Sequence, residues 1–563
     1  VEGNGEILRR YVVVVCLAAL LAMGIIVAAA ANRAPGTAAT KSGQIQRDAD
    51  NAQTPGHVRV LGVSGTPTPS IALGAALAAS RYVVLIVLDG AQPQLFNVPK
   101  IPHVRALIKN GVDYTNAWAG ILESETPSGH AAIGTGSEPR NDGILSFDWA
   151  NSDNTQINLF DPSKIRDGDM ERLIAEAPAP TIADMVHARY PHAKVVALGG
   201  HKYYAVDAMG GPHADAILYY TGMPDGKFSP VFVPGHAPPS GILTPDLTYP
   251  NTHPALGVED HLTMKMAMKT FRRMGEQVTL INLPEFDWPL GHVNGGTRDM
   301  KAATALMQGF DADLAKMEKM LAKKGVLNRT DFVLLADHGM SQIYHTVVDT
   351  DIKIAVAKAG AGIIDDTYHT ASYLWIKNES LADKAALNIA ALKNPYIQSV
   401  YFKSPLPHGG HEYLRASSTA LMRNPANEKA TQYLLNTFNG PDGPDLAVFF
   451  TEGAASLPGG ESSWKGDHGG TDWNSQHLPL IISGPGARKG VVSSYPARLE
   501  DVAPTLLTLI GARHSGMQGI PLADALAHPT PNEVQSQEQL RAKLMPVVSA
   551  LQRESQLELA AKL

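Results

Sequence analysis

Four places in the 563-residue chain set carboxylates and imidazoles beside an apolar run. Asp89 closes RYVVLIVLDG. Asp287 comes a few residues after QVTLINL, and His292 follows it. Asp337 and His338 end DFVLLADH. Asp467 and His468 precede LPLIISG. An Asp after a strand is most often a turn residue or a helix cap. Several of them at independent strand ends point to one rim, because open parallel sheets bind ligands beyond the carboxyl ends of their strands. Carboxylates gathered there without a cation would repel one another, so a bound metal is the natural resolution. Mixed His and Asp donors suit zinc, ahead of manganese or iron.

A fifth stretch adds hydroxyls. Residues 123–143 read ESETPSGHAAIGTGSEPRNDG, with Ser124, Thr126 and Ser128 close together at a predicted helix start. As an N-cap, Thr126 would be worth about 1 kcal/mol. As a nucleophile it would need a cation to lower its pKa. The helix N-terminus that suits the cap also suits a phosphate, and Pro127 fits the first helical position. Thr126 leads this reading, with Ser128 the lesser alternative.

The elements that must position these residues are legible as periodicity. RYVVLIVLDG, AKVVALGG, QVTLINL, DFVLLAD and LPLIISG are continuous apolar runs, as expected for strands buried on both faces. Helical patterns such as VEDHLTMKMAMKTFRRM and DMKAATALMQGFDADLAKMEKMLAKKG separate them. The alternation predicts an α/β fold, a mostly parallel sheet with helices on both faces. Residues 79–525 form the predicted catalytic domain, interrupted by an inserted cap at about 345–465, and 526–563 form a helical tail.

Composition narrows the function classes. A net charge of −7 argues against a broad surface for a nucleic-acid duplex. The single cysteine, Cys16, excludes a disulfide framework and a Cys-ligated zinc site. Cys16 lies in an uncharged run, residues 11–31, that follows Arg9 and Arg10. Residues 1–31 therefore read as a signal peptide or a membrane anchor, and 32–78 as a linker. Both readings place the remainder outside the cytoplasm, secreted or periplasmic, or held at the membrane if the segment is uncleaved.

The order VLDG, TPSGHAAIGTGSEPRNDGI, DWPLGH, ADHGM and the His-Gly-Gly before LPLIISGPG resembles the alkaline phosphatase superfamily over residues 80–510. Within it the chain is most similar to the type I phosphodiesterase/nucleotide pyrophosphatase group and to the phosphate monoesterases with a threonine nucleophile. The resemblance implies an alkaline phosphatase-like fold and two divalent cations, zinc first. One would be held by Asp89, Thr126, Asp337 and His338, the other by Asp287, His292 and His468. The nucleophile of the group lies four residues before its motif histidine; from His130 this is Thr126, which would carry a phosphothreonine.

Three departures bear on the substrate. Asp287 and His292 are five apart where the group has four; Pro289 predicts a loop that absorbs the extra residue, and Glu285 is a reserve ligand. Phe147, with Ser146 beside it, stands where the group has an asparagine contacting a phosphoryl oxygen. The monoesterases carry a Lys-x-Arg pair; the matching segment, GGHKYYAVDAMGG, offers Lys202, one residue out of register. Lys202, Phe147 and Ser146 are thus the substrate-side candidates. A monoester dianion needs more positive charge than a diester monoanion, so the missing pair leans toward a diester or a phosphonate. The implied activity is a metal-dependent hydrolysis of phosphoric esters carried on small molecules, phosphodiesterase or pyrophosphatase ahead of monoesterase or phosphonate hydrolase. A non-catalytic, anchored binding protein with a degenerate metal site is the alternative from a different class. No Cys/Ser-x-Pro-x-Arg context surrounds Thr126, which disfavours a sulfatase.

Overall fold

The run YVVLIVL at Tyr82–Leu88 (β1) is buried almost end to end, so it needs cover on both faces and strands on both sides. A computed structural model, describing residues 81–223, 226–249, 255–457 and 464–560, supplies both. β1 lies inside a nine-stranded sheet with β2 (Gly111–Tyr114), β3 (Val195–Gly199), β4 (Ala216–Gly222), β5 (Phe228–Phe232), β6 (Val278–Leu283), β7 (Thr330–Leu335), β8 (Leu480–Ser483) and β9 (Val491–Ser493). The spatial order is β9-β2-β8-β7-β1-β6-β3-β4-β5. Helices cover both faces, as the alternation of apolar runs predicts.

The five strands β7-β1-β6-β3-β4 pair in parallel. β5 and β8 run against them, so the sheet is mixed. The reversal of β8 matters for function. Three neighbouring strands, β7, β1 and β6, end at one rim, with Val87 beside Leu335 and Leu88 beside Leu283. Because β8 is antiparallel to β7, its beginning lies at that same rim. Asp467 and His468, which come before β8, can therefore join residues that come after the other strands.

The helix Thr126–Thr135 is buried at every position, as a core helix must be. Small residues set its depth. A Cβ on Gly134 would meet the Met209 carbonyl oxygen at 2.5 Å, and one on Gly129 would meet the Asp337 carbonyl oxygen at 2.9 Å. The glycines thus let the helix approach both the Tyr203–Gly210 helix and the end of β7. On another part of the sheet, Val258–Met274 and Met300–Lys323 bury Met264, Ala267, Phe271, Leu306, Phe310 and Leu314.

Between β7 and β8 the chain builds a second, five-stranded antiparallel sheet, in the order 363–368, 371–376, 446–450, 397–405, 411–418. Helices Asp349–Ala359 and Ala382–Ala390 pack Val356, Ala385 and Ile389 against its Leu374, Val400 and Val448. The helix Pro531–Ala560 buries Leu544, Val547, Val548 and Leu551 and packs on Pro425–Thr437. Among the described residues no helix is long and apolar enough to cross a membrane. The predicted signal or anchor segment, 1–31, and the linker, 32–78, lie outside the described residues.

Candidate active site

Asp89 leaves β1 through Gly90, whose φ of +69° makes the tight turn that a side chain would strain. The Gly90 N–H donates to Asp337 Oδ1 at 3.0 Å, tying the ends of β1 and β7 together. Asp89, Asp337 and His338 form one group of metal-ligand spacing, and Asp287, His338 and His468 another. All of these side chains are buried.

Each histidine presents the same nitrogen. His338 Nδ1 lies 2.9 Å from the Gly339 carbonyl oxygen, His292 Nδ1 3.0 Å from that of Gly466, and His468 Nδ1 2.9 Å from that of Ser124. With Nδ1–H donating to backbone, Nε2 keeps its lone pair for the rim, the arrangement that orients metal-binding histidines. His292 Nε2 is 3.3 Å and His468 Nε2 3.6 Å from Asp287 Oδ1. His338 Nε2 is 3.4 Å from Asp337 Oδ2 and 3.6 Å from Asp89 Oδ1. Asp467 also comes within ligand spacing of His292 and His468. Its Oδ1, however, accepts from the His468 N–H at 2.9 Å and faces His369 Nδ1 at 3.0 Å.

The extra residue between Asp287 and His292 is absorbed by a wide helical turn over Asp287–Gly291 rather than by the expected loop. The His292 N–H donates to the Asp287 carbonyl five residues back, at 3.0 Å, the ring size of a π-type turn. The reserve ligand does not serve as one. The carboxylate of Glu285 accepts from the N–H groups of Gly257 and Asp260, both at 2.8 Å, and caps the helix Val258–Met274.

The three hydroxyls separate cleanly. Thr126 is the first helical residue, and the cap position belongs to Glu125, so Thr126 is not the N-cap and Pro127 stands one place further in than expected. The Thr126 hydroxyl lies 3.5 Å from Asp89 Oδ1 and accepts from the Lys202 ammonium at 3.0 Å. Ser128 turns away, donating to the Glu123 carbonyl oxygen at 2.6 Å. Ser124 Oγ reaches the Ser475 carbonyl oxygen at 3.4 Å.

Lys202 is buried in the middle of the rim. Its ammonium donates to Asp89 Oδ1 at 2.7 Å and to Asp287 Oδ2 at 2.6 Å, spanning the two ligand groups. Burial pushes this ammonium down, but Asp287 and Asp89 outweigh it and hold it well above the usual lysine range. Burial likewise pushes the carboxylates up. It prevails at Asp89, where Asp337 adds to it. At Asp337 the charges of His338 and His130 reverse it, and the pKa falls to about 2. At Asp287, His292 and Lys202 reverse it well below the usual range.

The substrate-side candidates behave differently from one another. Ser146 offers nothing to a ligand: it is fully buried, with its Oγ 3.0 Å from Glu123 Oε1 and 3.0 Å from Glu125 Oε2. The Phe147 ring instead contacts Tyr204 at 4.8 Å and Phe160 at 5.4 Å, both edge to face. Tyr204 stands two residues after Lys202.

Two positioning residues, Asn282 and His369, escaped the sequence reading, and the motif histidine His130 works with the first of them. The Asn282 amide donates to Asp89 Oδ2 and contacts His130 Nε2, both at 2.7 Å. His130 in turn places Nδ1 2.8 Å from the Thr126 carbonyl oxygen and 3.2 Å from Asp337 Oδ2. Asn282 was detectable as a carboxamide inside an otherwise apolar strand, VTLINL. His369, from the second sheet, bridges Glu125 Oε1 at 2.7 Å and Asp467 Oδ1 at 3.0 Å; no local signal marks it.

The donor set fits divalent cations. Asp287 Oδ1, Asp337 Oδ2 and His338 Nε2 are buried without a hydrogen-bond partner, a costly condition unless a cation completes it. Asp89, Thr126, Asp337 and His338 would hold one ion, and Asp287, His292 and His468 the other.

Known proteins place these groups in context. A family model described as type I phosphodiesterase / nucleotide pyrophosphatase matches residues 83–440. Among solved structures, the alkaline phosphatase PafA superposes with a TM-score of 0.60 at 17% identity, over 79% of this chain and 99% of that one. Human ectonucleotide pyrophosphatase / phosphodiesterase 5 gives 0.54 at 16% identity, over 80% and 100%. The murine counterpart, an inactive variant in complex with AMP, gives 0.52 at 17% identity, over 81% and 99%. At these identities the likeness is one of fold. The alkaline phosphatase PhoD of Zymomonas mobilis subsp. mobilis is 26% identical over 150 residues, spanning 25% of this chain and 26% of that relative's length.

Proposed function

The chain belongs to the type I phosphodiesterase / nucleotide pyrophosphatase family, and from that premise we propose that it hydrolyses phosphoric diesters through a covalent phosphothreonine at Thr126. The observation that carries the reading is the place of the Thr126 hydroxyl. It lies at the junction of the two ligand groups, 3.5 Å from Asp89 and 3.0 Å from the Lys202 ammonium.

The residues divide the work. Thr126 Oγ gives up its proton to solvent and attacks phosphorus, the bond to the departing alcohol breaks and that alcohol leaves protonated, and the phosphoryl group, still esterified to the retained alcohol, stays on Oγ until water releases it as a monoester. Bound divalent cations, zinc by donor chemistry, would lower the hydroxyl's pKa and neutralise the entering and leaving oxygens. Asn282 and His130 hold Asp89, Asp337 and the first helical turn in place. Lys202 keeps a positive charge beside the Thr126 oxygen, where it favours loss of the hydroxyl proton. The helix Thr126–Thr135 directs its positive end at the same point.

Preference for a diester rests on the Phe147 side of the site. A phenyl ring packed on Tyr204 donates no hydrogen bond to a phosphoryl oxygen but tolerates an organic substituent there. Lys202 alone supplies less positive charge than a dianion calls for. The test is a pair of chromogenic esters, one diester and one monoester, assayed on the zinc-loaded protein and on its Thr126→Ala variant. Faster turnover of the diester, abolished in the variant, is expected. Turnover unaffected by Thr126→Ala would refute the covalent route, and faster monoester turnover would refute the substrate class.

A further inference from the structure

A second aromatic corner stands on the other side of the site. Trp288 follows Asp287 directly, and it alone in the turn Asp287–Gly291 has an extended backbone, φ −123° and ψ 113°. That conformation throws its side chain out of the turn, and Trp288 is 40% exposed. Its ring lies 5.9 Å from Trp464 at an interplanar angle of 66° and 5.9 Å from the His292 ring. Trp464 in turn lies 4.3 Å from His292. Two indoles thus meet edge to face around a rim histidine, leaving a corner of 66° whose Trp288 wall is accessible.

The direction of the reaction says what the corner faces. The attacking oxygen, Thr126 Oγ, sits with Asp89, Asp337 and His338. In-line displacement sends the leaving oxygen to the opposite side of phosphorus, toward Asp287, His292 and His468. Whatever is carried on that oxygen then comes out beside Trp288 and Trp464. Flat rings stack on indole faces and meet indole edges favourably, whereas a compact alkyl group gains only its small contact area.

We propose that Trp288, with Trp464, forms a leaving-group subsite that selects esters whose departing alcohol carries a flat aromatic ring. The proposal rests on the hydrolase reading given above and adds to it the chemical class of the departing group. It separates the two aromatic regions by role: Phe147 and Tyr204 flank the retained part of the ester, and Trp288 and Trp464 the part that departs.

Two methyl phosphodiesters test it, one with an aryl leaving group and one with a fluoroalkyl leaving group whose alcohol is equally acidic. Intrinsic reactivity is then matched and only flatness differs. kcat/KM is measured for the zinc-loaded wild type, Trp288→Leu and Trp288→Phe, with thermal melts as a folding control. The wild type is expected to favour the aryl ester by about tenfold, a typical stacking increment. Trp288→Leu should lose that preference, its kcat/KM falling about tenfold further on the aryl ester than on the fluoroalkyl ester, and Trp288→Phe should recover most of it. Equal turnover of both esters by the wild type overturns the subsite while leaving the hydrolase reading intact, and that comparison needs no variant. Equal losses on both esters in Trp288→Leu reduce Trp288 to a prop for the turn and also overturn it. Turnover of neither ester by the wild type overturns the hydrolase reading and the subsite with it.

Discussion

The floor and the walls of the site are built from different materials. The floor is polar and sealed: Asp89, Asp287, Asp337, His338 and His468 are all under 4% exposed, and each histidine is oriented by a backbone carbonyl. The walls are aromatic and partly open: Phe160 is 62% and Trp288 40% exposed, while Tyr204 is buried. Buried charge demands strict geometry, because an unmatched carboxylate costs several kcal/mol. Rings at a mouth demand only shape. On the proposed reading the floor sets the reaction and the walls set the choice of ester, so damage to the one should be separable from damage to the other.

The largest expected effect comes from the floor. Thr126→Ala should lower kcat on every ester by at least about a thousandfold, with the thermal melt little changed, since the hydroxyl caps nothing. Both quantities come from one preparation by steady-state assay and calorimetry. An equally deep loss that came with a collapsed melt would blur the distinction, because it would make Thr126 a structural residue.

Asp287→Asn should come next. It removes one charge from the His292 and His468 group while leaving the Asp89 group whole. Metal analysis should fall from two ions per chain to one, and kcat should drop by about a hundredfold or more. Retention of two ions would mean that Asp467 can serve as the third donor.

Lys202→Met joins the two halves. Its ammonium touches Asp89, Asp287 and Thr126, so it belongs to the floor, and in the proposed reaction it would also meet the entering phosphoryl group. A loss of about ten- to hundredfold in kcat/KM is expected, deeper on a monoester than on a diester. Equal losses would assign Lys202 wholly to the floor.

The smallest effect belongs to a wall. Phe147→Asn puts a carboxamide at the position where the family resemblance expects one and should shift the monoester-to-diester ratio by about tenfold, leaving kcat on the diester within about threefold. A uniform loss on both would show that the contact with Tyr204 supports the floor.

The same division governs what the sequence disclosed. Asp89 and Asp337 stand directly after apolar runs, and a carboxylate at the end of a buried strand is conspicuous. The floor was therefore legible, down to the pairing of Asp287 with His292. The reversal of β8 was not, because an apolar run carries no direction. It explains afterwards why His468, lying before its strand, meets residues lying after theirs. The five-residue spacing invited a loop, but backbone hydrogen bonding made a wide turn that the side-chain types do not encode. Ser146 read as a site residue because it adjoins Phe147, yet two buried glutamates take its hydroxyl. Asn282 and His369 act through contacts at long sequence separation, where no local pattern reaches. The walls were the least legible, since Trp288, Trp464, Phe160 and Tyr204 carry no spacing rule and gain meaning only from where the floor sits.

The central claim is that Thr126 carries the phosphoryl group. It is tested most directly by acid-quenching the zinc-loaded protein during turnover of a diester and mapping its peptides by mass spectrometry. The expected result is a peptide carrying on Thr126 the phosphoryl group with the retained alcohol of the diester, absent from Thr126→Ala. The same adduct on Ser128, or turnover with no modified peptide at any quench time, would contradict it.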